Sequence, residues 1–230
     1  MKQELIWAIV GMCVAFAIGL IVIIAFKSGP AATPEQKKVR ELIVKLMDPD
    51  ARTRKDAARA LGRMGPAAEE AVPSLRKAIG DEPLVAIWAQ YAIAEITDTD
   101  EPYVSAIAAY LRNEDDDLRG HAAAALGEMG PRAVKALPEL MRTITEDKNP
   151  NVRFNAGLAV PKMKAKAVPA LIEALKDPRD QIRRYAAQAL GNIGPDAYPA
   201  LAALKEVEAK DTDPVTRDAA KWAVSKIGGK

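Results

Sequence analysis

Residues 121–140 read HAAAALGEMGPRAVKALPEL, a run of helix-forming residues that two glycines and a proline interrupt. The interruption, LGEMGP at residues 126–131, recurs as LGRMGP at 61–66 and as LGNIGP at 190–195, at intervals of 65 and 64 residues. Glycine allows the left-handed turn that ends a helix, and proline cannot continue one. The motif therefore predicts a corner between two helices, with both glycines at the corner.

A second motif, Ala-(Val/Leu/Tyr)-Pro-x-Leu, follows each corner. It occurs at residues 71–75, 136–140, 167–171 and 197–201, at intervals of 65, 31 and 30 residues. Proline is tolerated in the first turn of a helix, so each copy predicts the start of a second helix. A period of about 32 residues that contains two helical stretches is typical of a helical-hairpin solenoid.

The first helix of each hairpin has its own start signal. Asp-Pro or Asn-Pro pairs at residues 48–49, 149–150, 177–178 and 213–214 supply a capping side chain before a proline. An apolar-Arg-x-x-Ala-Ala stretch follows, and its small alanines suit close packing of neighbouring hairpins. We predict first helices near 50–63, 83–96, 116–128, 151–163 and 179–192, a closing helix near 214–227, and a short helix at 35–47 before them.

The composition limits the class of protein. The chain has 230 residues and is 49% hydrophobic, which excludes wholesale disorder. Its 33 Lys plus Arg nearly balance 31 Asp plus Glu, so we predict no nucleic-acid partner. The one cysteine, Cys13, and the one histidine, His121, exclude an intrachain disulfide and a His/Cys metal cluster within the chain.

The N-terminal region differs from the rest of the chain. Residues 5–26, LIWAIVGMCVAFAIGLIVIIAF, carry no charge, and as a helix they would extend about 33 Å, the thickness of a bilayer core. We predict a short tail at 1–4, a transmembrane helix at 5–26, a linker at 27–37 and a repeat domain at 38–230. A cleaved signal peptide is the alternative, but the apolar run is too long for one and no clear A-x-A site follows.

The predicted span also carries a partner signal. Gly11, Ala15 and Gly19 recur every four residues on one helix face, where small side chains allow another membrane helix to approach closely. More Lys and Arg follow the span than precede it, which favours a cytoplasmic repeat domain at a bacterial-type inner membrane. A periplasmic domain stays open, because only four residues precede the span.

The repeated stretches LRGHAAAAL (118–126) and IRRYAAQAL (182–190) carry a family resemblance. With the LGxxGP corners, residues 48–230 resemble HEAT repeats, particularly the short repeats first noted in phycobilisome lyases. The resemblance implies an all-α fold, a right-handed α-solenoid of about five hairpins, here preceded by one transmembrane helix. It also implies a concave face formed by the second helices. Finally, it implies a structural ladder between acidic residues of adjacent turns and the arginines Arg54, Arg119, Arg153, Arg183 and a shifted Arg217.

Two places depart from the repeat pattern. Residues 85–96, VAIWAQYAIAEI, lack the arginine and the LGxxGP corner, and place Trp88 and Tyr91 where other copies have small or polar residues. This stretch forms a bend, contacts a partner, or reflects sequence drift. At the fourth corner, a basic turn with Lys162, Lys164 and Lys166 replaces Gly-x-x-Gly-Pro. It faces anionic lipid, an acidic partner, or solvent alone.

The sequence assigns no catalytic, cofactor-binding or metal-binding residue. No Ser/His/Asp or Cys/His set can be assembled around His121 or Cys13. Deoxyhypusine hydroxylase has similar repeats but needs several His-Glu pairs, whereas Ala122 follows His121 here. We therefore predict that the protein is not an enzyme and carries no cofactor.

The predicted function is a membrane-anchored scaffold for protein–protein interaction, as an accessory or assembly subunit of a multisubunit membrane complex of respiratory or photosynthetic type. Integral subunits would bind the span, which lies in the lipid bilayer, and a soluble or peripheral protein would bind the solenoid. The alternative is a phycobilin-lyase-like or chaperone factor that binds an apoprotein or a chromophore. Stable binding at a fixed ratio separates the first function from the second.

Overall fold

The computed structural model describes residues 32–229. The predicted tail at 1–4, the predicted span at 5–26 with its small-residue face, and the linker up to residue 31 lie outside the described residues. None of the helices between residues 32 and 229 has the length and hydropathy of a membrane span.

The chain divides into two compact units, residues 1–38 and 39–230. Of the first unit, the structure describes the start of helix α1 (Pro34–Lys45). The Thr33 amide donates to Gln36 Oε1 over 3.0 Å and the Gln36 amide donates to Thr33 Oγ1 over 3.2 Å, which is a capping box. Because this box starts the helix at Pro34, the last four residues of the predicted linker are helical.

The second unit consists of alternating longer and shorter helices, and no strand occurs within residues 32–229. We call the longer ones the first helices: α2 (Ala51–Met64), α4 (Pro83–Thr97), α6 (Asp116–Met129), α8 (Pro150–Lys162), α10 (Asp180–Ile193) and α12 (Pro214–Ile227). The second helices are α3 (Val72–Ala78), α5 (Tyr103–Ala109), α7 (Leu137–Glu146), α9 (Val168–Ala174) and α11 (Leu201–Lys210). The predicted first helices and the closing helix match these bounds within one or two residues.

Short 3₁₀ segments connect first and second helices at Gly65–Ala71, Gly130–Ala136, Lys164–Ala167 and Gly194–Ala200. Proline lies in the first turn of α3, α7 and α9, as predicted. The last copy of the second motif differs, because Pro199 lies inside the 3₁₀ segment and α11 begins at Leu201.

The core runs between the stacked first helices. Successive first helices pack through small side chains that are almost fully buried, which permits a close approach of their backbones. These side chains are Ala57, Ala58, Ala122, Ala123, Ala156, Ala186, Ala187 and Ala220. As in other repeat proteins, each hairpin therefore buries its apolar face against its neighbours.

The two glycines of LGxxGP have different roles, which corrects the prediction that both lie at the corner. Only the second glycines form it: Gly65, Gly130 and Gly194 have φ of +58°, +57° and +74°. The first glycine lies inside the helix. A Cβ on Gly127 would be 3.0 Å from Ala159 Cα of the next first helix, and equivalent positions in α2 and α10 are as crowded. The first glycine is therefore a packing residue.

The variant Gly65→Ala tests the corner. Its φ of +58° and ψ of −141° are rarely adopted by an L residue, and no atom lies within 4 Å of the added Cβ. We expect a loss of about 1–3 kcal/mol in the free energy of unfolding from backbone strain alone, measured by urea unfolding. Gly80→Ala, at a glycine without positive φ, is the control. An equal loss in both variants would contradict this explanation.

Candidate functional site

Three of the predicted ladder arginines form two-pronged ion pairs with an aspartate before the next first helix. Arg54 Nε and Nη2 lie 2.7 and 2.8 Å from the Asp81 carboxylate. The corresponding distances are 2.6 and 2.9 Å for Arg119 with Asp147, and 2.7 and 2.9 Å for Arg183 with Asp211. Each pair ties one repeat to the next with a charge-assisted, bidentate geometry.

The same guanidinium groups also close the N-terminal turn of their own helix. Arg119 Nη1 donates to the carbonyl oxygens of Asn113 and Glu114, each over 2.9 Å. The Arg119 and Asp147 side chains are only 7% and 6% exposed. Burial by itself would raise the pKa of Asp147, but hydrogen bonds from Arg119 and the Asn149 amide lower it below its ordinary value. Both side chains are engaged in contacts within the repeats and therefore have a structural role.

The other two predicted members of the ladder lack a carboxylate partner within residues 32–229. Arg153 and Arg217 donate through Nη1 to the carbonyl oxygens of Asp147 and Asp211, over 2.8 and 2.7 Å. Arg217 lies four residues after its N-cap, as the other ladder arginines do, so it is not shifted. Asp177, which the repeat spacing would offer to Arg153, instead accepts from Arg179 Nε over 3.0 Å.

The second repeat lacks both halves of the ion pair. Ala86 lies at the arginine position, four residues after the N-cap Glu82, and Asn113 lies at the aspartate position. The ion pairs therefore join α2 to α4, α6 to α8, and α10 to α12, and they skip the alternate junctions. The ion pairs recur at every second repeat, which matches the interval of about 65 residues between the LGxxGP motifs.

The aromatic residues of the second repeat are buried, which corrects their prediction as partner contacts. Trp88 and Tyr91 are 1% and 3% exposed, and their rings meet edge to face at 5.5 Å. Trp88 Nε1 donates to His121 Nδ1 over 3.3 Å, and the Arg59 guanidinium carbon lies 4.7 Å from the centre of the Trp88 ring. Because neighbouring helices cover both rings, the rings belong to the hydrophobic core around α4.

Arginines from α2 reach across α4 to a carboxylate on α6. Arg59 Nε and Arg63 Nη2 lie 2.8 and 3.0 Å from Glu128 Oε1. Burial would raise the pKa of Glu128, but these two arginines lower it. Burial, together with Lys55, lowers the pKa of His121 below its ordinary value. The neutral His121 therefore accepts from Trp88, and it belongs to the packing of this cluster.

The exposed face of α8 carries two apolar side chains followed by a basic corner. Phe154 and Leu158 lie one turn apart and are 64% and 51% exposed. Lys162 continues the same stripe one turn later, and the exposed Lys164 and Lys166 follow at the corner. Lys164 has a φ of +53° at the position where three other corners have glycine. We call Phe154, Leu158, Lys162, Lys164 and Lys166 the α8 stripe.

A cleft of 230 Å³ lies between α6 and the N-terminal half of α8. Gly120, Asp116 and Asp117 line it from α6, and Asn151 and Asn155 line it from α8, so the residues of the α8 stripe do not line it. Residues 32–229 contain no group of three or more His, Cys, Asp or Glu side chains that could hold a metal ion.

The family follows from the repeat sequence. A family model described as HEAT repeats matches residues 22–94, 104–191 and 157–225, which is more than half of the chain. The chain belongs to the HEAT-repeat family. The ladder pairs and the buried alanines are therefore features of HEAT repeats in this chain. The exposed apolar pair of the α8 stripe, however, lies on a first helix, whereas the resemblance places the concave face on second helices.

Solved structures with similarity to this HEAT-repeat chain include both engineered and natural proteins. An engineered protein is 22% identical, with 83% of this chain and 96% of that chain covered and a TM-score of 0.47. The complex of CpcE and CpcF of phycocyanin lyase from Nostoc sp. PCC7120 is 23% identical, with 88% and 80% covered and a TM-score of 0.41. Human deoxyhypusine hydroxylase in complex with glycerol is 21% identical, with 87% and 75% covered and a TM-score of 0.31.

Similarity at these identities and TM-scores says nothing about what this HEAT-repeat chain binds. No curated protein is matched by the sequence.

The repeat positions of the apolar pair do not by themselves mark the α8 stripe. Phe154 and Leu158 lie one and five residues after the repeat arginine, and the same positions of α4 hold Ile87 and Tyr91, which are buried. The sequence therefore gives no signal that separates the exposed pair of α8 from core residues.

Proposed function

We propose that this HEAT-repeat protein is a scaffold for protein–protein interaction, held at a bacterial-type inner membrane by residues 5–26. HEAT repeats generally mediate such interactions, because stacked hairpins leave an extended surface free for a partner. The observation that carries the proposal is the exposed apolar pair, Phe154 and Leu158, on a first helix held between its neighbours. An apolar pair on a rigid surface suits a partner interface.

The scaffold is an accessory or assembly subunit of a multisubunit membrane complex, of respiratory or photosynthetic type, and is not an enzyme. Two features support this proposal. The uncharged run at 5–26 has the length of a membrane span, with Gly11, Ala15 and Gly19 on one face. The most buried charged groups of the repeats, such as Arg119, Asp147 and Glu128, are engaged with one another or with neighbouring arginines. The excess of Lys and Arg after the span supports a cytoplasmic position for the repeats.

The decisive experiment is purification of the full-length tagged protein from its native membrane in mild detergent, followed by quantitative mass spectrometry. A fixed set of integral subunits at constant ratio is the expected result. Recovery of the chain alone would contradict the proposal. Transient soluble clients together with a bound pigment would instead indicate the lyase-like or chaperone function.

Deletion of residues 1–30 tests the anchor. We expect the shortened chain to leave the membrane fraction, because about 20 consecutive apolar residues hold a protein in a bilayer and the deletion removes them. Sedimentation and carbonate extraction measure the effect. If the shortened chain still sediments with membranes, another part of the protein binds them.

A matched pair of span variants separates anchoring from partner binding. Gly11→Leu places a bulky side chain on the small-residue face, and Ala17→Leu places one on the opposite face. Both variants should stay in the membrane, and only Gly11→Leu should lose integral partners.

A further inference from the structure

The α8 stripe combines an apolar ridge with a cationic end. Phe154 and Leu158 are separated by one helical turn, about 6 Å along the axis, and Lys162 lies one turn further. Beside the ridge, α6 has only Gly120 and Ala124 at the corresponding positions. The apolar ridge of α8 therefore has no large side chain of α6 at the corresponding positions beside it.

The basic side chains of the α8 stripe are unpaired within residues 32–229, unlike the arginines on the same face of α2. Arg59 and Arg63, on the same face of α2, are paired with Glu128. Lys162, Lys164 and Lys166 form no ion pair with any carboxylate in residues 32–229, although all three are exposed. An exposed lysine at a positive φ, where glycine would be less strained, adds a third cation to this end of the helix.

We propose that the α8 stripe docks an acidic amphipathic helix of a protein partner. Apolar side chains one turn apart on that helix pack against Phe154 and Leu158, and its Asp or Glu residues pair with Lys162, Lys164 and Lys166. Helices recognise one another through anchors at such spacings, and complementary charge sets the orientation. The inference rests on the proposed scaffold function, which it deepens by naming the surface and the chemistry of the partner.

A protein helix fits this surface better than a membrane does. The cations of the stripe lie only at the C-terminal end of α8 and at the corner that follows. Asp116 and Asp117 line a cleft together with Asn155 in the N-terminal half of α8, where like charge would repel anionic headgroups. A helix can place its acidic residues at the lysine end alone.

The first test uses co-purification of the full-length chain under the conditions given above. Phe154→Ser with Leu158→Ser should reduce recovery of the soluble or peripheral partner at least tenfold. Lys162→Glu with Lys166→Glu should do the same, and added salt should weaken binding of the wild type. Tyr198→Ser with Val215→Ser, two other exposed apolar residues, and Lys148→Glu with Lys205→Glu, two exposed lysines outside the stripe, are the matched controls.

The outcomes separate this inference from the scaffold function. Undiminished recovery in the stripe variants would overturn the docking surface and leave the scaffold standing. If the wild type recovers no partner at constant ratio, the scaffold proposal fails and the inference fails with it. Because all substituted side chains are exposed, the variants should keep the wild-type circular dichroism spectrum.

The second test identifies the chemistry of the partner. A benzophenone analogue of phenylalanine is placed at Phe154 and, as a control, at Tyr198, and mass spectrometry maps the cross-linked peptide. The expected adduct at Phe154 is a net-acidic segment with apolar residues three or four apart, absent from the Tyr198 control. Adducts with lipid, with a second copy of this chain or with a basic segment would each overturn the inference.

Discussion

The variant Arg119→Ala should lose about 3–5 kcal/mol in the free energy of unfolding, because it leaves the buried Asp147 carboxylate without its partner. The pair is among the most buried in the described residues, and Arg119 also holds two carbonyl oxygens of its own helix start. Urea unfolding of the full chain in mild detergent, followed by circular dichroism, measures the loss.

Arg153→Ala is the matched control, since this arginine lies at the same repeat position without a carboxylate partner in the described residues. Its loss should be only about 0.5–1.5 kcal/mol, as expected for hydrogen bonds to backbone carbonyls. Similar losses in both variants would show that the ion pair contributes little and that the carbonyl contacts hold the ladder together.

The ion pair of Arg119 and Asp147 also predicts how the free energy of unfolding depends on pH. The folded-state pKa of Asp147 is lower than that of an ordinary aspartate, about 3.9, so its contribution to stability is fully present above that value. As the pH falls through the lowered pKa, the carboxylate is protonated and the contribution is lost. The stability difference between wild type and Arg119→Ala should therefore shrink as the pH falls below about 4.

Two alanine substitutions at helical glycines should have opposite signs. Gly127→Ala should destabilise the protein by about 1–3 kcal/mol, because the new Cβ would lie 3.0 Å from both Cα and Cβ of Ala159 and would push α6 and α8 apart. At Gly157 the nearest atoms belong to the Tyr185 ring, 3.7 Å away, which is ordinary contact. Gly157→Ala should therefore stabilise the protein by up to about 1 kcal/mol through helix propensity.

Thermal unfolding of the two variants beside the wild type is sufficient to decide this prediction. The expected order is Gly157→Ala, wild type, Gly127→Ala, from highest to lowest midpoint. If Gly127→Ala is at least as stable as the wild type, the first glycine of the motif has no packing role.

The sequence predicted most of the repeat architecture, because the residues that start and end each helix act locally. A predicted N-cap such as Asp213, whose carboxylate accepts from the Thr216 amide over 2.8 Å, and a corner glycine such as Gly65 act within a few residues of their own position. The N-caps of α2 and α10, by contrast, lie two residues after the predicted Asp48 and Asp177. Motif spacing therefore located the first helices to within one or two residues.

The features that the sequence did not predict depend on register between helices far apart in the chain. The role of Gly62 becomes evident only when the Tyr91 ring lies against it, and the burial of Trp88 depends on Arg59 lying over its ring. Arg59 and Glu128 are 69 residues apart and meet because α2 and α6 flank α4. The lysines of the α8 stripe were predicted as candidate contacts, but Phe154 and Leu158 were missed, because they resemble core residues until their exposed fractions are known.

The ladder leaves a chain of this design free to change its length by single hairpins. Each arginine and its aspartate belong to one repeat: Arg54 and Asp81 both precede α4, and the second repeat has Ala86 and Asn113 in their places. Loss of the second hairpin would therefore remove two uncharged positions and leave every ion pair matched, and loss of a hairpin with an ion pair would remove both charges together. A solenoid of this kind is therefore expected to grow and shrink in steps of about 32 residues without leaving a buried guanidinium or carboxylate unpaired.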